Sequence, residues 1–307
     1  MKRRHQQRGT PPWRVTACGL LLWLVCGVGI WGRAEEEAEA PRRGGILRLW
    51  SARDWRSLDP AIAFDAESTP LQKLLFRGLL NYGKAAELVL DQAESWEVSP
   101  DGRTYRFRLK PGIRFAHGRE VEAADYVAAI ERVLDPRTGS PGQAFFLDVV
   151  GAPEFSAGWA PSVPGLRAPD ARTLEIELRR PVFTFRYVMA MNFADAVPRE
   201  LFARGSSPPA AGLVGSGPYR IAEWRRGLGY RFERNAHYTG SDGYVDGVDL
   251  MIGGEAASAV MMLERGELDR VQADPPTRLR FQRDPRLRPW MHYVTPTDIG
   301  YLFLNTE

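Results

Sequence analysis

Two short segments that alternate apolar and polar residues, separated by a tight turn, constrain the fold of this 307-residue chain most strongly. The first alternates Trp96 and Val98 with serine and glutamate, and the second alternates Tyr105, Phe107 and Leu109 with basic residues. Successive side chains of a strand point to opposite faces, so each segment has one apolar and one polar face. The intervening Ser-Pro-Asp-Gly suits a type I turn. The pattern therefore predicts a β-hairpin.

The residues of this hairpin also resemble a family signature. Residues 93–115 read A-E-S-W-E-V-S-P-D-G-R-T-Y-R-F-R-L-K-P-G-I-R-F. This run resembles the family 5 extracellular solute-binding proteins, the dipeptide-, oligopeptide- and nickel-binding components of bacterial ABC importers. Other family motifs occur in the family's order: G-G-I-L-R-L at 44–49, S-L-D-P at 57–60, F-R-G-L-L at 76–80, R-V-L-D-P at 132–136, G-S-G-P-Y at 215–219, E-W-R-R-G at 223–227, G-E-L-D at 266–269 and Y-L-F-L-N-T at 301–306.

The resemblance implies an α/β, two-lobed periplasmic-binding-protein type II fold. Residues 115–118 and 235–239 depart from the family pattern, both at turns. Members usually continue well past the Y-L-F-L-N-T motif, so we expect the second lobe to be incomplete. The predicted division is a signal peptide at 1–34, a charged tether at 35–44, the first part of lobe I at 45–83, an inserted subdomain at 84–212, the return of lobe I at 213–253 and the start of lobe II at 254–307.

Hydrophobic periodicity and capping residues independently predict a mixture of helices and strands. The predicted elements are a helix capped by Thr69 with Leu71, Leu74, Leu75 and Leu79 on one face, a helix from about Glu122 to before Pro136, a strand at 174–178, a strand at 230–233, and a helix over 256–263 that Gly266 terminates. This mixture indicates an α/β or α+β protein.

The N-terminus has the pattern of a secretory signal peptide. A basic start without acids leads into an apolar run at 15–31, and Gly32 and Ala34 provide small residues for cleavage after Ala34. An uncleaved membrane anchor is the alternative. Both cysteines, Cys18 and Cys26, lie in this segment without a lipidation pattern, so neither disulfides nor thiol chemistry are expected in the mature chain.

Removal of this segment changes the sign of the net charge. The first 34 residues hold six of the 41 Lys and Arg and none of the 38 Asp and Glu, so the mature chain carries a net charge of −3. The basic character therefore belongs to the precursor, and nucleic acid is not expected as a partner. The mature start at 35–43 is charged and of low complexity, and its composition predicts no packed core.

No catalytic constellation is recognisable in the sequence. The histidines are isolated, so neither a metal site nor a cofactor is expected. Gly215-Ser216-Gly217 lacks the flanking glycines of a nucleophile elbow. The acids Glu120, Glu122 and Asp125 indicate a helix start, since carboxylates are stabilised there by the helix dipole. These observations predict a protein that is not an enzyme.

The resemblance implies a ligand held between two lobes that close on it. The lobe I contacts carried over from the family are Trp50, Ser51, Phe64, Asp65, Ala66, Phe145 and Phe146. Each has a structural alternative: Trp50 and Phe146 fit a core, and Asp65 fits a helix start. We expect Asp59 to form a turn beside Pro60.

The family also implies partners and a location. The expected ligand is a peptide or another small polar solute, with nickel chelates, opines and sugars as alternatives, and the expected receiving partner is an inner-membrane ABC permease. We predict a periplasmic monomer. A truncated paralogue with a structural or sensory role, or a secreted hydrolase, are the competing functions.

Overall fold

A computed structural model describes residues 43–55, 57–65, 68–83, 86–201, 212–240 and 243–293. The predicted signal peptide and Ala66 lie outside these residues, as does nearly all of the predicted tether. The elements are β1 Ile46–Ser51, α1 Ser68–Leu75, β2 Leu80–Tyr82, β3 Leu88–Leu90, β4 Ala93–Val98, β5 Thr104–Leu109, α2 Ala123–Leu134, α3 Ala152–Ser156, β6 Leu166–Asp170, β7 Thr173–Glu177, α4 Phe185–Val188, β8 Tyr219–Arg225, β9 Gly229–Arg234, β10 Gly247–Ile252, α5 Ala256–Glu264 and α6 Pro275–Arg283.

Most of these strands form two four-stranded sheets. The first sheet has the order β1-β10-β9-β8, in which β1 runs parallel to β10 and the remaining pairs are antiparallel. The second sheet has the order β4-β5-β7-β6 and is antiparallel throughout. The second sheet is built from residues that lie between β1 and β8 in the chain, and the assignment of these parts to a lobe and an inserted subdomain stays a prediction.

The predicted hairpin is formed by β4 and β5. Trp96 pairs with Phe107 and Val98 with Tyr105, and the Gly102 N–H donates to the Ser99 carbonyl at 2.8 Å to close the turn. Gly102 adopts φ +71°, a conformation that favours glycine. The apolar residues of β5 are buried while its arginines are exposed, because the period of two separates them onto opposite faces.

Each four-stranded sheet buries one face against a helix. Leu71 and Leu75 of α1 lie in one hydrophobic cluster with Phe232 and Leu250 of the first sheet. The apolar face of α2 belongs to a second cluster that includes Phe107 of the second sheet. The prediction for α2 is confirmed: it begins after Glu122, which forms a capping box with Asp125, and ends before Pro136.

The predicted start of the first helix is wrong. The helix begins at Ser68, and the Asp65 carboxylate accepts hydrogen bonds from the Ser68 N–H and Oγ, both at 2.8 Å. Thr69 lies within the helix, and Leu79 lies beyond its end at Leu75 although it is fully buried. Asp65 takes the role predicted for Thr69, because its side chain reaches the first N–H group of the helix, that of Ser68.

The G-S-G-P-Y motif brings the start of β8 against the end of α1. The Gly217 N–H donates to the Leu75 carbonyl at 2.8 Å, and a Cβ at Gly217 would lie 2.5 Å from the Leu74 carbonyl oxygen. Ser216 is buried between these glycines. The motif therefore serves close backbone packing, which only glycine permits here.

Candidate ligand-binding surface

The predicted contacts at the end of β1 lie where two parallel strands end together. Trp50 and Ser51 pair with Met251 and Ile252 at the ends of β1 and β10. The Trp50 indole N–H donates to the Gly253 carbonyl at 2.6 Å, and the Gly253 N–H donates to the Ser51 carbonyl at 3.0 Å. The partly buried Trp50 ring therefore ties β1 to the segment that follows β10.

Two of the predicted aromatic residues come together with a third that sequence reasoning missed. The ring centroid of Phe64 lies 6.3 Å from that of Phe145 and 5.2 Å from that of Phe193, and Phe145 lies 6.0 Å from Phe193. Phe64 is 56% exposed and Phe145 39%, whereas Phe193 is buried beneath them. We call these three residues the aromatic surface.

Tight packing holds Phe193 in place. Gly142 precedes the turn that carries Phe145, and a Cβ at Gly142 would lie 2.7 Å from Cδ2 of the Phe193 ring. Asn192 is buried beside it, where its amide donates to Thr69 Oγ1 and to Gln72 Oε1 of α1. The Gln72 amide in turn donates to the Asp59 carbonyl at 3.1 Å. Hydrophobic periodicity and local motifs around Phe193 do not predict this role, because the residues that it packs against are distant in the sequence.

The structure places the remaining predicted residues in supporting positions. Asp65 is exposed, and its carboxylate holds the start of α1 as described above. Phe146 is fully buried, with its ring 6.2 Å from that of Phe185 in the core of the second sheet. Within the described part of the chain, Trp50 makes no ring contact with Phe64 or Phe145.

A buried ion pair fixes the S-L-D-P segment that leads to Phe64. Asp59 Oδ1 accepts from the Ala61 N–H at 3.0 Å, which confirms the predicted turn. Both carboxylate oxygens of Asp59 also bind the Arg132 guanidinium of α2, with 2.7 Å between Nη1 and Oδ1. Both side chains are fully buried, and the bidentate geometry satisfies the two charges together. Sequence reasoning recognised the turn and missed the arginine.

A second buried carboxylate, Asp195, follows Phe193 by two residues. Asp195 is 1% exposed and accepts from Lys73 Nζ, at 3.1 Å to each carboxylate oxygen. Burial raises the pKa of Asp195 to about 6, although the neighbouring Lys73 opposes this shift. A Cβ at Gly78 would lie 2.6 Å from Asp195 Oδ1, so the glycine makes room for the carboxylate.

Within the ranges that the structure covers, no three His, Cys, Asp or Glu residues are grouped as metal ligands. None of the helices described above is long and apolar enough to cross a membrane. The aromatic surface presents two exposed rings above a base that side-chain hydrogen bonds hold to α1.

Comparison with solved structures identifies the class of protein that this fold defines. The Escherichia coli murein tripeptide binding protein MppA superposes with a TM-score of 0.70 at 26% identity, covering 80% of this chain and 49% of the other. The fold is that of the type II periplasmic binding proteins. Residues 87–307 match the bacterial extracellular solute-binding proteins, family 5 Middle. The chain belongs to the family 5 bacterial extracellular solute-binding proteins.

Curated relatives agree with this family and differ in what their names say they bind. The probable D,D-dipeptide-binding periplasmic protein DdpA of Escherichia coli K12 is 27% identical over 85% of this chain and 49% of its own length. The probable deoxycholate-binding periplasmic protein YgiS of the same organism is 29% identical over 66% of this chain and 40% of its own length. The chain thus spans about half the length of the curated relatives it matches.

Proposed function

We propose that this chain is part of the periplasmic substrate-binding component of an ABC importer. In this role it captures a peptide or a similar small polar solute and delivers it to a membrane permease without altering it. Membership of the solute-binding family and the peptide-binding names of relatives such as DdpA and MppA support this role. Because YgiS is named as a probable deoxycholate-binding protein, an amphipathic solute that is not a peptide is the alternative.

The observation that carries the proposal is the exposure of two phenylalanine rings on a rigid base. Phe64 is 56% exposed although its ring contacts the buried Phe193. Complete burial of an exposed phenylalanine contributes about 1.5–3 kcal/mol, and a ligand that covers the exposed part of these rings gains a share of this free energy. The aromatic surface therefore suits an apolar group of the solute, and Trp50 and Ser51 are the proposed contacts at the end of β1.

Two predicted residues take positioning roles in this proposal. Asp65 holds the start of α1 directly after Phe64, and Phe146 anchors in the core the turn that carries Phe145. Contact between Ala66 and the ligand stays a prediction. Capture follows from closure of two lobes, because contacts to both lobes shift an open state towards a closed one.

Calorimetric titration of the purified chain with a peptide library and with deoxycholate tests the role. We expect Phe64→Ala and Phe145→Ala each to weaken binding by about 1–3 kcal/mol, since each removes a buried apolar contact. Phe183→Ala is the matched control, because Phe183 is 73% exposed and lies outside the aromatic surface. Unchanged affinity in both test variants would remove these rings from the site, and recovery of a chemically altered ligand would overturn the binding role.

A further inference from the structure

A polar pocket lies away from the aromatic surface, where the second sheet meets the G-S-G-P-Y motif. It has a volume of 280 Å³ and shares no lining residue with the aromatic surface. Its charged side chains are Arg77, Asp91, Lys110 and Arg114, and its lining also includes His237 and the hydroxyl groups of Ser216, Tyr238 and Thr239. Three of the charged side chains are cationic and one is acidic, so the lining is basic.

Internal pairing leaves two of the cations available. Arg77 Nε lies 2.7 Å from Asp91 Oδ2, so these two charges neutralise each other. Lys110 donates to the Asp91 carbonyl and Arg114 to the Gly118 carbonyl at 2.8 Å, both of them neutral acceptors. In the described part of the chain, neither Lys110 nor Arg114 forms an ion pair. Both are exposed at the mouth of the pocket and retain further N–H groups for a ligand.

The wall of the pocket adds a buried hydroxyl. Ser216 is 1% exposed, and its Oγ accepts from the Gln92 amide at 2.7 Å. Gln92 is held by Tyr126, whose hydroxyl donates to Gln92 Oε1 at 2.6 Å. Within the described residues this is the one hydrogen bond of the Ser216 hydroxyl, and it leaves the O–H to donate. The network is buried and therefore presents this donor in a fixed position.

We propose that this pocket binds a small oxyanion, a phosphate or carboxylate group, between Lys110, Arg114 and Ser216. Two uncompensated cations supply the charge, and charge-assisted hydrogen bonds from such groups to oxyanions are stronger than neutral ones. The pocket is lined from both sides of the junction between the second sheet and β8. An oxyanion held there bridges the two parts, so binding stabilises the folded chain by mass action.

Titration of the purified 307-residue chain with sodium phosphate and with sodium succinate tests the site, at an ionic strength held constant with sodium chloride. Nuclear magnetic resonance shifts or calorimetry report binding. We expect saturable binding of at least one of the two anions. The anion that binds with the higher affinity identifies the group, phosphate or carboxylate, that the pocket prefers. Lys110→Gln and Arg114→Gln should each weaken that binding about tenfold, because each removes one charge-assisted contact.

Arg108→Gln is the matched control. It removes the same charge from β5, two residues before Lys110, but Arg108 is 56% exposed, pairs with Glu94 and lies outside the pocket lining. The Arg108→Gln variant should bind the preferred anion with the same affinity as the unmodified chain. The proposal is overturned if neither anion saturates, if chloride alone produces the same response, or if Arg108→Gln weakens binding as much as the two pocket variants.

Discussion

At the scale of the residue, Asp195 gives the protein a specific dependence on pH. In the folded chain the Asp195 carboxyl keeps its proton up to about pH 6. In the unfolded chain it loses this proton near the ordinary aspartate pKa of 3.8. Between these values the folded state binds the proton and the unfolded state does not. The free energy of unfolding therefore contains a contribution that is present below pH 3.8 and is lost as the pH rises to about 6.

We expect Asp195→Asn to remove this contribution. Urea unfolding of the unmodified chain and the variant from pH 4 to pH 7 gives the free energy of unfolding of each at every pH. Subtracting one from the other cancels the titration of the groups that the two proteins share. The stability of the unmodified chain relative to the variant should fall across this interval. A difference that stays flat, or that rises with pH, contradicts the raised pKa.

The Asp59–Arg132 pair makes a separate prediction. Removing one partner leaves the other charge buried, which destabilises a protein by about 3–5 kcal/mol. Arg132→Met should show a loss of this size in urea unfolding. The double variant Asp59→Asn/Arg132→Met should lose clearly less than the sum of the two single variants, because the uncompensated charge is then absent. Strict additivity would show that the two side chains act independently.

At the scale of the element, the contact between α1 and the start of β8 depends on Gly217. A Cβ there would meet the Leu74 carbonyl oxygen at 2.5 Å, and backbone cannot move aside as a flexible side chain can. We expect Gly217→Ala to destabilise the chain by about 3 kcal/mol or more, above the usual 1–3 kcal/mol of overpacking. Urea unfolding measures the loss.

Gly227→Ala separates steric overlap from backbone strain. Gly227 adopts φ +70°, but a Cβ there would meet nothing within 4 Å. This variant should therefore lose about 1 kcal/mol, the usual difference between alanine and glycine in the left-handed region. Gly217 does not share this left-handed conformation, so its loss reports overlap alone. A loss in Gly217→Ala no larger than that in Gly227→Ala would contradict the expected cost of overlap with α1.

At the scale of the whole molecule, the proposed function requires export. We expect the precursor to be cut after Ala34, since a basic start and an apolar run precede small residues at 32 and 34. Intact-mass measurement of the periplasmic fraction should find a chain that begins at Glu35. Ala34→Leu should block this cleavage, because the site then lacks a small residue. Recovery of the unmodified chain at full length in the membrane would contradict the prediction.

Local patterns were sufficient for several elements. The hairpin of β4 and β5, helix α2 and strand β9 are confirmed because alternation, capping and turn residues act over a few neighbouring positions. The same motifs led to the family, and the resemblance gave Phe64 and Phe145 among seven candidate ligand contacts. The start of α1 was misplaced, since both Thr69 and Asp65 fit a helix start and only the folded backbone selects between them.

The tertiary structure alone decided which distant side chains meet. Asp59 and Arg132 are 73 residues apart in the chain, and Lys73 and Asp195 are 122 apart. Phe193 joins Phe64 and Phe145 only because the turn that carries it packs on α1. Sequence periodicity determines which face of an element is apolar, but the partner of a buried charge or ring depends on how the elements pack, and that depends on the whole fold.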